Sequence, residues 1–182
     1  MDSGGTLGYK SIRMHPLRTA IAVALLGALS LGMTCQPGGG AAGDAAMIAH
    51  RFARLEGGSI AAKELPFKVL VICFFTTWSD AGILQAKALS NIYERHAQKG
   101  FKVIGVVMDL EKAASASPFA RQFNIAYPVA LAGDDILGGT SPFGNISKVP
   151  ASYIFDSDGR LLGVWTGVIP APEMEGLLRR YM

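Results

Sequence analysis

The chain has 182 residues, half of them hydrophobic and only 17% charged, with a formal net charge of +3. Three basic residues, Lys10, Arg13 and Arg18, precede an uncharged run, and from residue 35 onward 14 basic residues meet 13 acidic ones. That near-neutral remainder has no block of like charge, which argues against a nucleic-acid partner. Isolated histidines and two cysteines give no metal-ligand grouping and no disulfide framework. Neither a metal nor a cofactor is expected.

The run 19-TAIAVALLGALSLGMTC-35 behind a basic segment predicts a secretory signal peptide or N-terminal anchor over residues 1–34. It is shorter than the roughly 20 residues that span a bilayer comfortably. Cys35, ahead of 36-QPGGGAAGDAA-46, resembles the lipidated cysteine of a bacterial lipoprotein signal, although Leu31 lies four residues before it and Thr34 directly precedes it. The expectation is an exported chain, periplasmic or membrane-anchored through its N-terminal segment. Residues 35–50 read as a flexible Gly/Ala-rich tether and 51–182 as one domain, long enough for a sizeable core.

Residues 47–65 read as a lead-in of short extended pieces around a Gly-Gly turn. The near-continuously apolar 68-KVLVICFF-75 predicts a strand covered on both faces. Helical spacing follows over 80–98, with Leu84, Ala88, Leu89, Ile92 and Tyr93 on one face and Gly100 as the stop. A second strand is 101-FKVIGVVM-108, ending at Asp109. Ser117-Pro118 predicts the cap and first turn of a short helix through Phe123. After 127-YPVAL-131 comes a Gly-rich loop over 132–148, and 151-ASYIF-155 and 161-LLGVWT-166 flank an Asp-Gly hairpin turn. Met174, Leu177, Leu178 and Tyr181 then share a face of a helix opened by Pro172.

This order predicts an α/β thioredoxin fold, a central mixed sheet flanked by helices. From about Phe52 the chain resembles exported thioredoxin-like proteins of the TlpA/ResA type, related to the AhpC/TSA proteins. Their signature is an apolar strand and a Trp-Cys-x-x-Cys turn opening a helix. Here 74-FFTTWSDAG-82 keeps Phe74, Thr77 and Trp78, but Ser79 stands at the first cysteine position and Gly82 at the second. The segment 149-VPASYIFDSDGRLLGVWTG-167 matches the family's Val-Pro segment, strand, Asp-x-Asp-Gly turn and strand.

The resemblance implies thiol–disulfide exchange, in which a thiolate at a helix N-terminus attacks a disulfide and a second cysteine resolves the intermediate. An alcohol at Ser79 and a bare α-carbon at Gly82 support neither half of that cycle, so no catalytic residue is expected. Ser79 reads as a helix N-cap, and Cys73, inside an apolar strand, as an inert core thiol. Gln85 stands where the family has a carboxylate. The resemblance further implies a peptide-binding surface at Trp78, Val149 and Pro150, with Pro150 in a cis bond. The expected function is therefore a redox-inactive module that binds a protein or peptide at the Trp78/Pro150 groove. The alternative is an oxidoreductase that uses Cys73 or a partner's thiols.

Overall fold

The seven residues Val69–Phe75 are buried along their whole length, which places this strand at the centre of the sheet. The computed structural model describes residues 33–34, 41–111 and 113–182. In chain order the elements are β1 (Met33–Thr34), α1 (Ala41–Ala49), β2 (Arg51–Arg54), β3 (Ser59–Ala61), β4 (Val69–Phe75), α2 (Asp80–His96), β5 (Phe101–Val107), α3 (Ala113–Gln122), β6 (Val129–Leu131), α4 (Asp134–Leu137), β7 (Ala151–Asp156), β8 (Leu161–Thr166) and α5 (Ala171–Tyr181). The strands form one sheet in the order β1-β8-β7-β4-β5-β6-β2-β3. β4, β5 and β6 run parallel, and every other neighbouring pair is antiparallel. The expected mixed sheet flanked by helices is present.

Because strand side chains alternate between faces, β4 feeds two cores. Val69, Val71, Cys73 and Phe75 pack with Leu89 and Ile92 of α2 and with Met174 and Leu178 of α5. Leu70, Ile72 and Phe74 pack on the other face with Met47, Phe52, Ile136 and Phe143. The buried side chains of both clusters run from Met47 to Leu178, so the described core draws on nothing before α1.

Several local expectations need correction. Residues 41–49, read as part of a flexible tether, form α1, in which Met47 is buried and Asp44 accepts a hydrogen bond at 3.0 Å from the Leu161 amide. A distant contact outweighs the Gly/Ala-rich composition. Pro118 does not open α3 but lies inside it. In α2 the buried face is rotated: Gln85, Ala86, Leu89 and Ile92 are buried, while Leu84 is 59% exposed. The Gly-Gly turn is present, Gly57 and Gly58 adopting φ of 96° and 75°, values that glycine reaches freely. Cys35 and the proposed signal or anchor segment lie outside the described residues, apart from Met33 and Thr34, which pair with β8. No described helix is long and apolar enough to cross a membrane.

Candidate functional site

The turn after β4 is fixed at both ends. Met108 donates its amide to the Phe75 carbonyl at 2.9 Å, carrying the β4–β5 ladder to the end of the strand. One residue on, Thr77 donates its amide to Asp109 Oδ1 at 3.0 Å and its hydroxyl to Oδ2. Asp109 is 2% exposed, so a buried carboxylate satisfied by the turn holds Trp78 in place. Trp78 itself is 75% exposed, and Leu110, beside Asp109, is 83% exposed.

Ser79 has extended backbone and caps α2, as its residue type predicts. Its Oγ accepts from the Thr76 hydroxyl at 2.9 Å and from the Gly82 amide at 3.1 Å. Both lone pairs are thus engaged, and the hydroxyl has only its own proton to offer a ligand. It is a hydrogen-bond donor where a thiolate would be an acceptor and nucleophile. Gly82 is packed as glycine: a Cβ there would stand 2.2 Å from the Thr76 carbonyl oxygen and 2.8 Å from Ser79 Oγ.

Val149–Pro150 is a cis peptide bond. β7 starts at Ala151 opposite Phe74, so Val149 and Pro150 lie at the same end of the sheet as the Trp78 turn. The loop after β8 reaches this end too. Gly167 donates its amide to the Pro150 carbonyl at 2.8 Å, and Ile169 donates to Gln85 Oε1 at 2.6 Å. Gln85 is fully buried, and its Nε2 has no partner among the described residues. Three segments distant in sequence therefore converge: the Trp78 turn, Val149–Pro150 and the loop through Val168, itself 36% exposed.

The described thiol lies elsewhere. Cys73 in β4 is fully buried, and burial pushes its pKa up to about 12, with the Ser152 side chain a smaller opposing influence. Tyr127, which donates to the Ala86 carbonyl at 3.2 Å, is also pushed well above its ordinary value, first by burial and then by Cys73. Both groups are held in their neutral forms by the core around them.

Sequence reasoning missed Asp109 and Thr76 as the groups that shape the turn. The available signal for Asp109 was its position, an acidic residue directly after a buried strand. Leu110, read with no role, is exposed at the same end.

Residues 43–163 match the AhpC/TSA family. Over 127 residues the chain is 27% identical to thiol-disulfide oxidoreductase ResA of Bacillus cereus, covering 69% of this chain and 70% of the relative. ResA of Bacillus anthracis matches to the same extent, 27% over 127 residues. Among solved structures, a thiol:disulfide interchange protein of the thioredoxin family from Chlorobium tepidum TLS superposes with a TM-score of 0.63 at 20% identity, covering 72% of this chain and 92% of that one. A secreted Mycobacterium tuberculosis disulfide oxidoreductase superposes with a TM-score of 0.61 at 17% identity, covering 74% and 97%. At these identities the two structures establish the thioredoxin fold and nothing finer.

Proposed function

The chain belongs to the AhpC/TSA family, and from that premise we propose that it is a member without thiol–disulfide turnover, a module that binds an extended protein or peptide segment across Trp78, Val149 and Pro150. We further propose that residues 1–34 direct its export and that Cys35 or the apolar run holds it at the cell envelope. The thioredoxin-like domain then occupies the remainder after a short tether.

One observation carries the reading: the turn keeps a capped helix, an exposed tryptophan and a cis proline, while positions 79 and 82 carry no sulfur. Ser79 caps α2, Trp78 is exposed and the cis Val149–Pro150 bond sits at the same end. Yet the two positions that need sulfur hold a hydroxyl and a glycine whose Cβ would strike backbone at 2.2 Å. A disulfide exchange transfers two electrons between sulfurs through a thiolate. The described thiol, Cys73, is enclosed and protonated at neutral pH, since its pKa is about 12.

The relatives called oxidoreductases favour the second reading, in which Cys73 or a partner's thiol supplies the chemistry. An insulin-reduction assay with dithiothreitol decides between them. The proposal expects no acceleration over dithiothreitol alone. Acceleration abolished by Cys73→Ala would overturn it in favour of the enzyme. For binding, a photo-crosslinker placed at Leu110 should capture an extended envelope peptide in the native chain and lose it in Trp78→Ala. Capture indifferent to Trp78 would remove the groove from the proposal.

A further inference from the structure

The end of the sheet opposite Trp78 gathers cations. β4 and β5 run parallel towards the Trp78 turn, so Lys68 and residues 97–100 lie about 20 Å from it along the strands. Two adjoining grooves open here and share Lys68, Gln98 and Lys99; Arg179 lines one and Lys102 the other. Lys68 donates to the Met182 backbone oxygen at 3.1 Å, and Lys102 to the Ala97 carbonyl at 3.0 Å. Lys99 and Arg179 are exposed and have no ion-pair partner among the described residues.

The acidic groups nearby are already engaged. Glu175, on the wall of the same groove, meets Arg95 at 2.7 Å and His96 at 3.3 Å. In the β7–β8 turn Asp158 meets Arg160 at 3.4 Å, and Asp156 accepts the amides of residues 158 and 160, each at 3.0 Å. Cations beside a helix C-terminus complement its dipole. That accounts for Lys102, bonded just past α2, but not for Lys68, which lies in no helix.

The N-terminal part of the chain arrives at this same end. Asp156 stands opposite Val69, which puts the β7–β8 turn at the Lys68 end of the sheet. α1 docks there: Asp44 accepts the Leu161 amide, and a Cβ on Gly159 would stand 2.6 Å from Ile48 Cδ1. Ahead of α1, 35-CQPGGG-40 can span at most about 21 Å. A chain held at Cys35 therefore keeps the cationic end closest to the membrane.

We propose that this end rests on an anionic lipid surface, with Lys99 and Arg179 taking headgroup phosphates and Lys68 and Lys102 adding to the attraction. The Trp78 groove then faces away from the membrane, open to its partner. The cations are spread over an open surface bordered by Pro66 and Phe67, which suits a layer of headgroups better than one enclosed small anion. An aromatic ring beside lysines is also at home at a lipid interface. Each cation near such a surface is worth about fivefold in partitioning. The orientation rests on the anchoring proposed above, whereas the lipid contact does not.

The test floats the full chain with vesicles of phosphatidylcholine, alone or mixed with phosphatidylglycerol, and follows amide hydrogen exchange. The chain should float with both. Exchange at residues 97–102 and 178–182 should be slower on the anionic vesicles by about fivefold or more, with the Trp78 turn unchanged. Lys99→Glu with Arg179→Glu should exchange equally on both vesicles, while Lys99→Arg with Arg179→Lys keeps the protection. In the native chain added salt should erase it, with no substitution to disturb the fold. Equal exchange of the native chain on the two vesicles would overturn the proposal. So would protection that survives both charge reversals, or equal protection by inorganic phosphate alone, which marks a small-anion site. Flotation with anionic vesicles only would support the lipid contact and overturn the anchoring; flotation with neither would overturn both.

Discussion

Cys73 and Ser79 are six residues apart, and between them they divide what a thiol enzyme must combine. Cys73 has the sulfur but lies in the middle of the sheet, fully buried, with its pKa raised to about 12. Ser79 has the position, at the N-terminus of a 17-residue helix beside an exposed tryptophan, but carries oxygen. Reactivity needs the element and the environment at one atom. Changing the environment of Cys73 or the element at position 79 therefore tests which of the two is limiting.

The largest effect is expected on Cys73. With a native pKa of about 12 against an ordinary 9.0, its thiolate population at pH 8 is lower by about a thousandfold, before access is considered. Labelling with a disulfide reagent should therefore be negligible in native Cys35→Ser protein and rapid in denaturant. The same shift has a pH signature with a definite sign. Below pH 9 the thiol is protonated in both states and costs nothing. As pH rises from 9 towards 12 the unfolded chain releases the proton first, so stability falls across that window. Tyr127, also raised, adds to the fall. In Cys73→Ala the alkaline loss should be shallower, and urea unfolding at several pH values measures it.

Next comes Gly82. Replacing a helical glycine by alanine ordinarily gains up to about 1 kcal/mol. Here the new Cβ would lie 2.2 Å from the Thr76 carbonyl oxygen, and forcing atoms into packed structure costs about 1–3 kcal/mol. The contact is with backbone, so the clash should win and Gly82→Ala should lower the urea midpoint. It follows that Ser79→Cys with Gly82→Cys should not regain a relative's turnover. Ser79→Cys in the Cys35→Ser background should instead form mixed disulfides that persist, since Gly82 offers no thiol to resolve them and Cys73 is fully buried.

A smaller loss is expected on the far side of the turn. Asp109→Asn keeps one acceptor but turns amide hydrogens towards the Thr77 donors, costing about 1–3 kcal/mol. Because the carboxylate holds the Trp78 turn, Trp78 emission should also change, which Trp165→Phe protein isolates.

These residues also mark what the sequence could reveal. β4 and β5 were legible because buried parallel strands write themselves as unbroken apolar runs. Ser79 was legible as a cap because capping is local. The role of Asp109 was not, since its partner Thr77 is 32 residues earlier and meets it only when β4 and β5 lie side by side. Likewise the amide that binds Asp44 belongs to Leu161, 117 residues away, so α1 hid inside a stretch that reads as linker. Leu84 and Gln85 exchanged places for a similar reason. Periodicity favours the leucine inside, but the buried Ile169 amide needs an acceptor and Gln85 supplies it. An unpaired buried amide costs about 1–3 kcal/mol, comparable with the 1.5–3 kcal/mol or so gained by burying one leucine. Hydrophobic spacing alone does not decide such a contest.

Trp78→Ala should move stability least of all. The side chain is 75% exposed, and substitutions on open surface away from caps and cores stay within about 0.5 kcal/mol. That small cost gives the variant its value. If Trp78 served only to shape the turn, its loss would disturb Ser79 and Asp109, and the fold would weaken by more than a surface change does. If it is retained for a ligand, unfolding should be unaltered while affinity for an extended peptide falls by about thirtyfold, as for a buried aromatic anchor worth roughly 2 kcal/mol. Calorimetric titration beside urea unfolding on the same preparation separates the two roles, because only a binding residue loses affinity without losing stability.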